Sequence, residues 1–254
     1  MSCFRPLLFV AFSFAGVLTA SAHLSYIGRD YGTFTGGSLQ GKTISNQNVE
    51  TTYGWADGTD ADFAEQHYQS YFKFTLQKTL TITITVTALD PSKFLPAFSI
   101  YSGLGHTSPP DYDETGISQD YLASLPGPPK EGAFDALHTW KMGNDDGTTF
   151  ADLSTFTYVD NAADGTAANY GPAAGIFGDG LADGTVSRSF TLGPGSYSVA
   201  IGGANYFDQD DANFYGFITT ATVVPEPSSA LLMSGSLLVL TLRRRRAARV
   251  AKIL

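Results

Sequence analysis

Thr79-Leu80-Thr81-Ile82-Thr83-Ile84-Thr85-Val86-Thr87-Ala88 is the stretch whose reading settles the kind of protein this is. Strict alternation places Leu80, Ile82, Ile84, Val86 and Ala88 on one side of a pleated strand and five threonines on the other. β-branched residues suit that half-buried surface. Upstream, residues 71–76 (YFKFTL) read as the preceding strand, with Gln77-Lys78 as a short connection. Downstream, Pro91 ends the alternating strand, and residues 97–101 (AFSIY) read as a third before Gly103.

The same logic extends along the chain. Residues 186–192 and 196–201 flank Gly193-Pro194-Gly195, a turn in which glycine permits positive φ and proline fixes a dihedral, so they read as a second hairpin. Residues 214–224 (FYGFITTATVV) read as a closing strand, and residues 49–53 and 155–159 as shorter ones. Residues 133–140 read as one short helix. Between 103 and 185 the pattern weakens, broken by Pro109-Pro110, Pro126 and Pro128-Pro129. Many short strands with Gly/Pro turns imply an all-β fold. The expectation is an antiparallel two-sheet sandwich, jelly-roll-like, with a loop-rich insertion over 103–185.

Charge is segregated. Residues 23–224 hold 8 Lys/Arg against 23 Asp/Glu, a balance near −15 within a chain whose formal net charge is −9. Such a body repels phosphates, so no nucleic acid partner is expected. Cys3 is the only cysteine, and it precedes an apolar run. The first 22 residues fit a secretory signal: Arg5, an apolar middle over 7–18, and the small-residue site Ala20-Ser21-Ala22 for signal peptidase. Cleavage there leaves His23 as the new N-terminus and a protein without thiols. Disulfides and thiolate chemistry are then excluded.

The other end carries Pro225-Glu226-Pro227, a mostly apolar run over 228–242, and Arg243-Arg244-Arg245-Arg246. As a helix that run is about 22 Å long, short against a hydrocarbon core of about 30 Å, though arginines extend their reach by snorkelling. Four arginines resist transfer across a bilayer, so they mark a membrane stop with the acidic body outside. The three parts in this order resemble the PEP-CTERM protein-sorting signal of Gram-negative bacteria with exopolysaccharide-rich envelopes. The resemblance covers about residues 224–254. It implies that an exosortase recognises Pro225, Glu226 and Pro227 and removes the helix and basic tail, after a transient stay in the inner membrane. The expected domains are a signal peptide (1–22), an acidic β-sandwich (23–224) and the sorting signal with its short transmembrane helix (225–254).

Candidate chemistry is sparser. Asp57, Asp60 and Asp62 stand close in sequence, as do Asn144-Asp145-Asp146-Gly147 and Asp208-Gln209-Asp210-Asp211. Neighbouring loop carboxylates suit calcium, and Asp208, Asp210 and Asp211 are the chosen candidates, although no EF-hand order is present. Such residues also serve as ordinary turn formers. No cofactor is required, and calcium is the ion these loops suit. A freed His23 resembles the start of the copper brace of polysaccharide monooxygenases. No Gly-x-Ser-x-Gly or His-Glu-x-x-His motif occurs, so no catalytic residue is named. Tyr53, Trp55, Tyr68, Tyr112, Tyr121 and Trp140 either stack on sugars or cap the sandwich, and the cap is favoured. The expected function is a non-enzymatic structural or binding role at the cell surface or matrix, linked to exopolysaccharide. The alternative is a secreted polysaccharide-active enzyme, a hydrolase or a copper enzyme using His23.

Overall fold

The computed structural model describes residues 24–36, 40–60, 63–105, 133–142 and 154–224. The strands are β1 Asp30–Phe34, β2 Gly41–Val49, β3 Ala64–Glu65, β4 Ser70–Leu76, β5 Leu80–Ala88 and β6 Pro96–Ser102. They continue with β7 Ala133–Phe134, β8 Trp140–Met142, β9 Ser154–Ala163, β10 Thr185–Leu192, β11 Gly195–Gly203 and β12 Tyr215–Val223. Single-turn helices α1, Gly54–Asp57, and α2, Ala167–Tyr170, lie in connections.

Two sheets face each other. One has six strands in the order β1-β4-β11-β6-β9-β8, and the other four in the order β10-β5-β12-β2. Pairing is antiparallel except at the edge, where β1 runs parallel to β4. The all-β, two-sheet expectation therefore holds, with one mixed sheet.

The alternation in β5 does what its spacing requires. Leu80, Ile82, Ile84 and Val86 are buried, together with Phe190 and Leu192 of β10 and Phe217, Ala221 and Val223 of β12. Across the interface they meet Phe72, Phe74 and Leu76 of β4, Phe98 and Ile100 of β6, and Val199 and Ile201 of β11. Each such side chain contributes roughly 1.5–3 kcal/mol when removed from water.

Both expected hairpins are corrected by this layout. β4 belongs to the six-stranded sheet and β5 to the four-stranded one, and β10 and β11 are divided in the same way. Gln77-Lys78 and Gly193-Pro194 are thus corners between sheets. The reason is that the apolar faces of the joined strands look at each other across the core, which side-by-side pairing would not allow.

Other differences are local. The strand expected over 49–53 ends at Val49, and the chain turns there into α1. The helix expected over 133–140 is instead β7, a bend and β8. Asp135 causes the bend: its carboxylate accepts the amides of Leu137 and His138, both at 2.9 Å. The short strand expected at 155–159 is part of the ten-residue β9, paired with β6. The C-terminal helix expected over 228–242 lies outside the described residues, and among those residues no helix is long and apolar enough to cross a membrane.

The outer faces of the two sheets differ. Over the six-stranded sheet lies a second core, in which Leu24, Tyr26, Trp55 and Phe134 cover Tyr71, Ala97, Tyr101, Trp140, Phe156 and Ala200. The four-stranded sheet shows hydroxyls. Cross-strand pairs join Thr81 to Thr191 (2.9 Å), Thr83 to Ser189 (2.7 Å), Thr85 to Ser187 (2.7 Å) and Thr43 to Thr220 (2.9 Å).

Candidate functional site

At the end of the sandwich where β2 stops and β12 begins, two acidic segments some 150 residues apart in sequence meet. Thr52 joins them. Its amide donates to the Asp210 carbonyl (3.1 Å), its hydroxyl accepts the Asp210 amide (2.9 Å), and its carbonyl accepts the Asn205 amide (2.8 Å). Gly203 permits this approach, because a Cβ there would collide with the Thr52 carbonyl group. Beneath, Trp55 of α1 is fully buried and its indole N–H donates to Ser99 Oγ at 2.8 Å, fixing the helix on the six-stranded sheet.

The two segments touch through side chains. Gln209 Nε2 donates to Asp57 Oδ1 at 3.0 Å, and Tyr206 Oη lies 3.3 Å and 3.4 Å from the Asp60 carboxylate oxygens. Asp210 accepts from Tyr215 Oη, from the Ala212 amide (2.9 Å) and from Asn213 Nδ2 (3.3 Å). The tyrosine bond, aided by that amide, holds the Asp210 carboxyl below the usual carboxylate range. Burial and the Asp210 charge push Tyr215 up to about 12. Tyr53 stands edge-on to Tyr68 with centroids 5.9 Å apart. Burial, followed by the charges of Tyr68, Asp211 and Asp57, pushes Tyr53 up to about 12. Tyr68 is raised by burial and by Glu65 and Glu50. Tyr206 is raised chiefly by Asp60. These phenols stay protonated at neutral pH and remain hydrogen-bond donors.

Beside them project Phe207 and Phe214, 65% and 58% exposed. The surface thus offers carboxylate acceptors, phenol donors and two bare rings. That combination suits a polyhydroxylated partner, whose hydroxyls both donate and accept and whose C–H faces stack on rings.

Behind this end, the β9–β10 connection is held by buried polar groups. Asp164, fully buried, accepts the Asp183 amide at 3.1 Å and the Gly184 amide at 2.6 Å. Burial pushes its carboxyl up to about 6, with the amides opposing and the charges of Asp179 and Asp183 assisting. Arg188 pairs with Asp160 at 2.7 Å and lies 3.9 Å from the centre of the Phe177 ring.

Leu24 and Val224, the first and last described residues, lie toward the other end of the body. Val224 donates to the Thr81 carbonyl at 2.9 Å, where β5 begins, and Leu24 packs against Gly105 and within the cluster containing Phe156. The nine residues of β12 run from Tyr215 to Val223, about 26–27 Å from end to end.

Asp57 and Asp60 join Asp208, Asp210 and Asp211 on one surface, a convergence that sequence spacing did not reveal. Asp62, Asn144, Asp145, Asp146, Tyr112, Tyr121, His23, Ala20, Ala22, Pro225, Glu226, Pro227 and Arg243, Arg244, Arg245 and Arg246 lie outside the described residues. Trp55, Trp140 and Tyr53 are buried, as the capping alternative requires. The exposed rings are instead Phe207 and Phe214. Their signal in the sequence was two phenylalanines within an Asp/Asn-rich loop, where nothing apolar is needed for a turn.

The fold and the acidic end define an acidic two-sheet β-sandwich with an aromatic-fringed pole. No protein-family model and no curated protein matches the sequence. Among the solved structures similar to it are two proteins. One is CorA, a surface-associated copper-binding protein important in copper acquisition by Methylomicrobium album BG8. It is 13% identical, with 80% of this chain and 99% of that chain covered at a TM-score of 0.48. The other is MopE, a secreted protein of Methylococcus capsulatus in which an oxidized tryptophan facilitates copper-binding. It is 15% identical, with 78% and 87% covered at a TM-score of 0.44.

The cofactor expectation, none required and calcium at Asp208, Asp210 and Asp211, is corrected. The metal named for both similar proteins is copper. Among the described residues no three Asp, Glu, His or Cys side chains are grouped to hold an ion. The physical reason is plain at Asp210, whose carboxylate is taken up by Tyr215, Asn213 and Ala212.

Proposed function

We propose that this is an exported, non-enzymatic surface protein whose acidic, aromatic-fringed end contacts the glycan of an exopolysaccharide matrix. The observation that carries the reading is the meeting of Asp57 and Asp60 with residues 206–211 beside the exposed Phe207 and Phe214. Export rests on the signal sequence ending at Ala20-Ser21-Ala22. Sorting rests on the resemblance of Pro225-Glu226-Pro227, the apolar run and Arg243 to Arg246 to an exosortase substrate. The position of Val224 supports the combination, because a chain held by its C-terminal segment presents the acidic end away from the membrane.

A glycan array probed with the exported protein tests the binding part. Retention of a defined set of oligosaccharides without their cleavage is expected. Cleavage, or no retention at all, contradicts it. For sorting, Glu226→Ala and deletion of residues 243–246 are expected to leave unprocessed protein in the membrane, and unchanged release contradicts it.

One contact favours a second reading, a copper-binding protein. Leu24 packs on Gly105 so closely that a Cβ at Gly105 would collide with it, and Tyr26 Oη accepts the Gly105 amide at 3.1 Å. His23 and His106 are the next residues along the chain on either side of that contact. An N-terminal amine with its imidazole plus a second imidazole forms a set that copper favours. Titrating Cu(II) into protein with an authentic His23 terminus tests it. Stoichiometric uptake that is lost in His106→Ala supports this reading, and no uptake ends it.

A further inference from the structure

The outer face of the four-stranded sheet, which nothing among the described residues covers, is a second surface with its own chemistry. None of the outward positions of β5, β10 and β12 carries a charge, although 23 acidic residues are spread over residues 23–224. Hydroxyls dominate, and they are ordered. Thr81 with Thr191, Thr83 with Ser189 and Thr85 with Ser187 are bonded across the strands at 2.7–2.9 Å. Each pair thereby fixes its two rotors. The repeat is about 6.8 Å along a strand and about 4.8 Å between strands.

We propose that this face docks packed, uncharged glycan chains, as in an insoluble polysaccharide. A single hydroxyl–hydroxyl bond replaces bonds to water and nets little. Binding therefore needs many such bonds formed at once, by a surface and a partner that are both already ordered. A dissolved, flexible chain does not meet that condition and a packed glycan does. Charged partners gain nothing from a face without charges. A second copy is disfavoured by area: four strands about 4.8 Å apart give a face near 400–500 Å², about half of what a stable interface buries per partner. This surface lies apart from the acidic end and goes beyond the function proposed for that end.

Co-sedimentation of the protein, purified from producing cells, with microcrystalline cellulose and with chitin tests the proposal. Depletion of the wild type from the supernatant is expected. Thr83→Val/Thr85→Val removes hydroxyls while keeping branched strand formers and is expected to weaken partitioning at least tenfold, with the unfolding midpoint unmoved. Thr83→Lys/Thr85→Lys is expected to do the same. The loss caused by the threonine substitutions is expected to persist at the same fold-change in a Phe207→Ala/Phe214→Ala background, which separates this surface from the acidic end. No depletion of the wild type overturns the proposal, as does equal depletion of the threonine variants. Arrest of ice growth by the wild type, lost in the valine variant, also overturns it by assigning the face to ice.

Discussion

The two sheets share one core but treat their outer faces in opposite ways. On the six-stranded sheet the outward residues are mostly small or aromatic, such as Ala97, Ser99 and Ala200 beside Tyr71, Tyr101 and Trp140, and a layer holding Leu24, Trp55 and Phe134 covers them. On the four-stranded sheet the outward residues are mostly threonine and serine, with Ile218 and Gly216 among them, and nothing among the described residues covers them. The difference shows in the burial along individual strands. A strand wet on one side alternates, as β5 does. A strand buried on both sides does not: β6 and β11 are buried almost continuously.

The comparison can be broken most severely at Trp55. Trp55→Ala removes a fully buried indole and leaves Ser99 Oγ without its donor. A loss of about 3–5 kcal/mol is expected in urea unfolding. A loss under about 1 kcal/mol would show that the covering layer adds little stability.

Next in size is the pH dependence of the buried carboxylate. Asp164 has its pKa raised to about 6 from 3.8. The folded state therefore binds its proton more tightly than the unfolded state does. Stability from this group is greatest below about pH 4 and declines as pH rises through 6, by about 1–3 kcal/mol in all. In Asp164→Asn that decline disappears, so the stability difference between wild type and variant changes across pH 4–7. A constant difference over that range contradicts the burial argument.

A smaller contrast sharpens the comparison directly. Ala200→Leu presses a larger side chain into the covered face and is expected to cost about 1–3 kcal/mol. Thr85→Leu on the outer face of the four-stranded sheet loses one exposed hydroxyl bond, to Ser187, and is expected to stay within about 0.5 kcal/mol. Equal effects at both sites would mean that the two faces are alike.

How much the sequence disclosed is explained by the same physics. Strands β4, β5, β6, β10, β11 and β12 were legible because their inward residues recur every second position. Their sheet membership was not, since a two-residue corner between sheets and a two-residue hairpin use the same Gly, Pro and Lys vocabulary. β1 and β2 were missed because DYGTF and GKTISNQNV hold few apolar residues. They are edge strands, each with two side chains in the core: Tyr31 and Phe34 from β1, Ile44 and Val49 from β2. The residues of the acidic end were partly legible, with Asp57, Asp60, Asp208, Asp210 and Asp211 all visible as turn-like acids. Their convergence depends on Thr52 and Gly203, a long-range contact that leaves no local mark.

The most direct measurement is calorimetric titration of the exported protein with the best oligosaccharide from the array, compared among wild type, Phe207→Ala/Phe214→Ala and Thr83→Val/Thr85→Val. At least a tenfold weaker Kd is expected for the phenylalanine variant, with no change for the threonine variant. An unchanged Kd in the phenylalanine variant would contradict the assignment of glycan contact to the acidic end.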